Sequence, residues 1–255
     1  MFILQLHAEY DRGFDEYLAH RVLQAFDMSQ FIRLTSSDAD LVILGGDLNT
    51  EPGHLSYRII RYNAQLQDSF DEAQEKSEDC KGTSEICQNS YTDQNAAKDN
   101  PEGSRIDYVL YKPGTGFKGA KLNKEFDLFN TSLFFLLILA SGDASSQDEE
   151  YIKTMKESVS ICDAALLKLK QDKRSYWMYS SVLFLALFGT IGSDPYSFFK
   201  TGNFVRILFT LLLCYTVFMA TVWNNIEVNA IITGKQGMEI IHSKLIHNKQ
   251  NMNSK

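Results

Sequence analysis

Two stretches constrain this chain more than anything else in it. They are YWMYSSVLFLALFGTIG, residues 176–192, and ILFTLLLCYTVFMATVW, residues 207–223, and neither contains a charged residue. As helices of 17 residues each would span about 25 Å, the short end of what crosses a bilayer and suited to a thin membrane such as that of the endoplasmic reticulum. Tyr176 and Trp177 mark the end of one stretch and Trp223 the end of the other, as interfacial aromatics do. Lys168, Lys170, Lys173 and Arg174 precede the first stretch, whereas the link 193–206 offers only Lys200 and Arg206 as cations. That asymmetry puts the preceding part of the chain in the cytosol, and the second span returns the tail to the same side. Arg206 can snorkel to the interface. The expectation is a two-helix transmembrane hairpin in an intracellular membrane, with both termini cytosolic. The competing reading is a pair of buried core helices.

Around the hairpin the chain divides into a mixed α/β region at 1–125, a transition and juxtamembrane helix at 126–175, the hairpin at 176–223 and a polar cytosolic tail at 224–255. The net charge of −7 argues against nucleic acid as the main partner, because phosphate-backbone binding needs clustered Lys and Arg. The four cysteines, Cys80, Cys87, Cys162 and Cys214, form no CxxC pair with partner histidines, which argues against a zinc site. They are also too few for a disulfide scaffold. Met1 runs straight into FILQLHAEY with no basic n-region, so no cleavable leader is expected. The stretch reads as an interior strand, with something upstream absent.

Phe2 to Leu6 is a short strand candidate. From Phe14 to about Thr35 a helical period brings Leu18, Val22, Ala25, Phe26 and Ser29 to one side, with Asp15, Glu16, Arg21 and Gln24 between them. DLVILGG, residues 40–46, reads as a buried strand without alternation. HLSYRIIRY after Pro52 supplies a short helix. Residues 71–104 are polar and aperiodic, hence a long loop, and RIDYVLY, 105–111, is another strand. Leu133 to Ala140 is apolar but too short to span a bilayer. The acidic-to-basic run 147–174 reads as a helix whose end charges suit its dipole.

The chemistry-bearing residues sit where strands stop. In LVILGGDLNT, residues 41–50, Asp47 and Asn49 follow an apolar run and two glycines. If both belonged to a strand, their side chains would share one face at its C-terminal end, where open α/β sheets place their ligands. The same residues also make an ordinary Asx turn. His7 follows the first strand and Asp107 lies inside an apolar one, where a buried carboxylate would need a partner.

In that order and with those neighbours, LHAEYDRGFDEYLAHRVLQAFDMSQFI, ADLVILGGDLN and RIDYVLYKPGTGF resemble the endonuclease/exonuclease/phosphatase superfamily, and within it the neutral sphingomyelinase branch. The apolar pair and the tail IEVNAIITGKQGMEIIHSKL are similar to that branch as well. The resemblance implies the C-terminal half of a DNase I-like four-layer α/β sandwich, tethered to the hairpin. It also implies an Mg²⁺-dependent phosphodiesterase that hydrolyses sphingomyelin, a lipid of the bilayer, to ceramide and phosphocholine. His7 would contact the phosphate or its developing charge. Asp47 would orient or deprotonate the attacking water, Asn49 would hold phosphate or water, and Asp107 would fix a second histidine.

The chain departs from the family pattern in two places. The family's metal-binding Glu belongs to an N-terminal half of the fold that is missing here. Its SDH motif is replaced by FDLFNTSLFFLLILASGDASSQ, which has no histidine. The polypeptide alone is therefore expected to be inactive and poorly stable. Two alternatives stay open: a catalytically dead, membrane-anchored interaction or regulatory module, and a phosphodiesterase acting on another phospholipid.

Overall fold

The computed structural model describes residues 1–8, 15, 17–72, 82–87, 89–92, 98, 100–114, 144–191 and 201–253. Two compact units emerge, one made of Met1–Val159 with Met238–Lys255 and the other of Ser160–Gly237.

The first unit is α/β. Strand β1 (Phe2–Ile3) leads through helix α1 (Leu18–Thr35) to β2 (Leu41–Asp47), then through helix α2 (Leu55–Asn63) and β3 (Gln67–Asp68) to β4 (Asp107–Pro113). The sheet order is β1-β2-β4-β3. Strand β1 runs parallel to β2, and the pairing continues past Ile3, since the Leu4 and Leu6 amides donate to the carbonyls of Gly45 and Asp47 at 3.0 and 3.1 Å. Gly46 makes this approach possible. Its φ is +145°, and a Cβ there would lie 1.9 Å from the Leu4 carbonyl oxygen. Strands β2 and β4 pair antiparallel from Leu41↔Pro113 to Asp47↔Asp107.

Strand β2 does alternate, contrary to expectation: Val42 and Leu44 are buried while Leu41, Ile43 and Gly45 are only half-buried. Its sheet is thus less covered on one side than a run of apolar residues suggests. In α1 the apolar positions Ala19, Val22, Ala25, Phe26 and Ile32 are buried, and so is Arg21, which pairs with Asp15. A residue read as solvated therefore lies on the inward side, neutralised by a carboxylate of the preceding loop. Helices α1 and α2 meet through a buried amide–hydroxyl contact, Asn63 Nδ2 donating to Ser29 Oγ at 2.6 Å. The Tyr151 hydroxyl, on helix α3 (Ala144–Ile191), donates to Asn63 Oδ1 at 2.6 Å. Arg58 on α2 pairs with Glu157 on α3 at 2.6 Å. The apolar run 133–140 lies outside the described residues, as does much of 71–104.

The second unit is a pair of antiparallel helices: the later part of α3, and α4 (Thr201–Phe218) continuing through a π-helical turn (Met219–Trp223) into α5 (Asn224–Asn253). The contacts fix direction and register. Lys235 Nζ reaches Asp163 Oδ1 at 2.6 Å, Asn224 Nδ2 the Leu169 carbonyl at 2.9 Å, Ser180 Oγ the Thr216 hydroxyl at 2.9 Å, and Arg206 the Thr190 carbonyl at 2.6 Å. As one partner's number rises the other's falls. On the second strand of the pair, Thr216, Ala220 and Asn224 are buried, and then Ile231 and Gly234. Two successive steps of four break the three–four alternation of a packed helix and introduce one residue too many. The wider π turn at Met219–Trp223 absorbs it. Outward from this seam, Val182, Leu185, Phe188, Leu208, Leu211 and Tyr215 are exposed. By length and composition the helical segment Asn203–Met252 is long and apolar enough to cross a membrane.

Candidate active site at the end of the sheet

The antiparallel register brings two carboxylates together. Asp47 is the last residue of β2, Asp107 is the first of β4, and they are direct cross-strand partners. Directly opposed residues carry their side chains on the same face of the sheet, with Cβ atoms about 5 Å apart. Asp107 is at the surface, yet protein on one side removes enough water to push its carboxyl above the ordinary aspartate value. The Thr83 hydroxyl, by hydrogen bonding, partly counters that rise, and the Asp47 charge adds to it. Thr83 Oγ1 also accepts the Asp107 amide at 3.1 Å, which ties the 82–87 segment to the start of β4.

Asn49 reaches the site differently from the strand reading. Strand β2 stops at Asp47, and Asn49 has φ of +44°. The Asp47 carboxylate accepts the Asn49 amide at 2.9 Å, so the Asx turn forms. That turn is what carries the Asn49 carboxamide to β1, where Nδ2 donates to the Leu6 carbonyl at 2.8 Å. The turn and the site are one structure, not competing explanations.

His7 is the next residue along. It is half-buried, its ring stacked on Tyr17 with centroids 4.6 Å apart, and its amide donates to Gln24 Oε1 at 3.1 Å. Nδ1 lies 2.8 Å from the Ala8 carbonyl oxygen. A carbonyl only accepts, so Nδ1 carries a proton. All four residues singled out in the sequence therefore adjoin one end of β2. The second histidine that Asp107 would orient has its expected place within 126–145, and residues 115–143 lie outside the described residues.

Sequence reasoning missed the support behind these groups. Arg105 NH1 donates to Asp68 Oδ2 at 2.8 Å, and that carboxylate, 1% exposed, also accepts the Tyr57 hydroxyl at 2.7 Å and the Phe70 amide at 2.9 Å. The Arg105 guanidinium lies over the rings of Phe70 and Tyr108, 4.7 and 4.9 Å from their centroids. The Tyr108 hydroxyl is 2.8 Å from the carbonyls of both Thr50 and Arg105. Burial pushes both phenols up in pKa, with the Asp68 charge the next cause for Tyr57, so both remain donors. Arg105 and Tyr108 belong to the RIDY motif itself. Only the lone carboxylate Asp68 between apolar Leu66 and Phe70 could have hinted at their partner.

As for a metal, no three His, Cys, Asp or Glu side chains converge among the described residues. The two directly opposed carboxylates of Asp47 and Asp107 nevertheless fit a hard divalent cation. Mg²⁺ takes one or two carboxylates and keeps several waters.

A model of the Endonuclease/Exonuclease/phosphatase family matches residues 4–132, half of the sequence, and the chain belongs to that family. Across 94% of its length it is 28% identical to a Drosophila melanogaster protein named "Putative neutral sphingomyelinase", covering 69% of that protein. It is 43% identical to sphingomyelin phosphodiesterase 2 of Homo sapiens over 46% of this chain and 27% of that protein. It is 31% identical to the inositol phosphosphingolipids phospholipase C of Saccharomyces cerevisiae over 42% of this chain and 25% of that one. The chain thus spans about a quarter of the length of its human and yeast relatives.

Proposed function

We propose that this chain carries the phosphate-handling end of a sphingolipid phosphodiesterase, cleaving sphingomyelin to ceramide and phosphocholine with Mg²⁺. The observation that carries this reading is the convergence of Asp47, Asn49 and Asp107 at one end of the β2–β4 pair, beside His7. In the reaction a water oxygen attacks phosphorus, the bond from phosphorus to the ceramide oxygen breaks, and that oxygen leaves as the ceramide alcohol by taking a proton from solvent. Asp47, one of whose oxygens is held by the Asn49 amide, orients that water and takes its proton on the other oxygen. The Asn49 carboxamide, anchored through one N–H to the Leu6 carbonyl, offers its second N–H to the phosphate. His7, at the same end of the sheet, contacts the phosphate or the charge that develops on it. Asp107 would hold the Mg²⁺, which neutralises phosphate charge when bound.

The membrane part completes the reading. The outward apolar residues of the α3–α4 pair are in lipid, as a hairpin in an intracellular membrane with the α/β part cytosolic. A lipid substrate explains the hairpin, because the scissile bond lies at headgroup level. A second reading, a catalytically dead membrane-anchored module, is favoured by one observation: no histidine occurs between His54 and His242.

Phosphocholine release from sphingomyelin micelles by the whole chain, with and without Mg²⁺, separates the two. Mg²⁺-dependent turnover that Asp47→Asn lowers about 100-fold or more supports the enzyme. Mg²⁺ binding without turnover supports the module. Release of inositol phosphate in preference to phosphocholine would instead move the substrate toward the yeast relative's class.

A further inference from the structure

A network behind the site joins four segments that carry or border it. Tyr57 comes from α2, Asp68 from β3, Arg105 from the segment just before β4, Tyr108 from the start of β4, and Thr50 from the turn after β2. The buried Asp68 carboxylate holds the Arg105 guanidinium, which is only 10% exposed. The guanidinium in turn lies over the Tyr108 ring, and Tyr57 packs against the same ring with centroids 4.9 Å apart. Fixed in this way, the Tyr108 hydroxyl reaches the buried Thr50 carbonyl, one residue beyond Asn49. Between the two ends, the Leu48 amide donates to the Ile106 carbonyl at 2.8 Å. The turn bearing Asp47 and Asn49 is therefore bolted on both sides to the strand end bearing Asp107.

We propose that Arg105 and Tyr108 are positioning residues that hold the Asp47–Asn49 turn against Asp107 by clamping the Thr50 carbonyl. Neither has to touch substrate. Arg105 fixes the phenol ring, and the phenol hydroxyl fixes the turn. Asn49 tolerates its left-handed φ of +44° and the Asx bond to Asp47 sets its conformation, while the clamp sets where the whole turn sits against β4. Displacing the Asn49 carboxamide from the phosphate by about 1 Å would lower turnover roughly 100-fold without a matching loss of substrate binding.

This inference rests on the phosphodiesterase reading for its kinetic consequence, but its geometry can be tested without it. The whole chain in detergent micelles is compared with Tyr108→Phe, Arg105→Lys, Arg105→Met, and Arg105→Met combined with Asp68→Leu. The last variant removes both charges of the buried pair and so avoids the unpaired carboxylate that can unfold the single variant. The readouts are the melting temperature, the kcat and KM for sphingomyelin, and the NMR resonance of the Asn49 amide proton, which reports its bond to the Asp47 carboxylate. The double variant is expected to melt within about 4 °C of the parent, to lose about 100-fold in kcat with KM little changed, and to shift the Asn49 amide upfield. Tyr108→Phe, which removes the clamping hydroxyl itself, should shift the same signal at least as far and lower kcat as much, and Arg105→Lys should restore most of both. A double variant with the parent's amide signal and kcat would overturn the clamp, and so would a Tyr108→Phe variant with both unchanged. If the parent shows no turnover, the phosphodiesterase reading fails for this chain, and the Asn49 signal alone decides the clamp.

Discussion

The sheet end and the helical pair differ in which large side chains they turn outward. In the α/β unit, Val42, Leu44 and Leu110 are hidden while Asp107 lies at the surface. In the helical unit Ser180, Thr216 and Asn224 are hidden beside Cys162, Ala220 and Ile231, bonded across the seam or to the facing backbone, while the large apolar residues Leu185, Phe188 and Leu211 face outward. Burial of apolar surface stabilises only where the alternative is water. The helical pair thus presents outward the kind of side chain that the α/β unit hides, the pattern that the proposed membrane hairpin requires, with polar contacts across its seam.

One substitution made twice tests this contrast most severely. Leu44 is 1% exposed and Leu211 is 63% exposed. Leu44→Ala should cost about 2–5 kcal/mol in denaturant unfolding, and Leu211→Ala almost nothing in micelles. Equal losses would erase the distinction between the two regions. Next in size, Leu212→Arg near the middle of the apolar stretch should oppose membrane insertion by about 2.5–3.5 kcal/mol. It should move the chain from the carbonate-resistant to the soluble fraction, while Leu34→Arg on the exposed side of α1 should leave partition unchanged. Ser180→Ala, which breaks the hydroxyl pair with Thr216, should weaken helix pairing by roughly 0.6 kcal/mol, read from thermal melting in micelles.

The smallest effect is that of Asp107. Its carboxyl is raised in the folded protein, so folding disfavours its ionised form. The folded chain then holds more protons than the unfolded one between the ordinary aspartate value of 3.8 and the raised one, and stability falls as pH rises through that window. Asp107→Asn should remove this fall, melting above the parent at neutral pH and level with it below the window. A parent that gained stability across the window would reverse the sign of the argument.

Much of the α/β unit was legible in its residues. LVILGG and DYVLY are runs whose β-branched and aromatic content leaves little alternative to strands, and the period of Val22, Ala25, Phe26 and Ser29 defines α1. The meeting of Asp47 and Asn49 was also legible, although by the wrong route. Spacing suggested a shared strand face, and a left-handed turn does the work. What stayed hidden is long-range. Arg105 and Asp68 are 37 positions apart, and nothing local tells a buried ion pair from two solvated charges. Arg21 misled for the same reason, because its partner Asp15 precedes the helix and leaves no mark on the helical period.

The π turn at Met219–Trp223 has a consequence for how this chain tolerates change in length. Dropping a residue from an ordinary helix rotates everything beyond it by about 100° and scrambles whatever that helix touches. Here the surplus is already stored in one loop of backbone. Excising one of Ala220, Thr221 or Val222 would let that loop relax to the common pitch while Thr216 and Asn224 keep their partners. The helical pair carries, in effect, one spare link, and this is the point along its length where such a deletion should be silent.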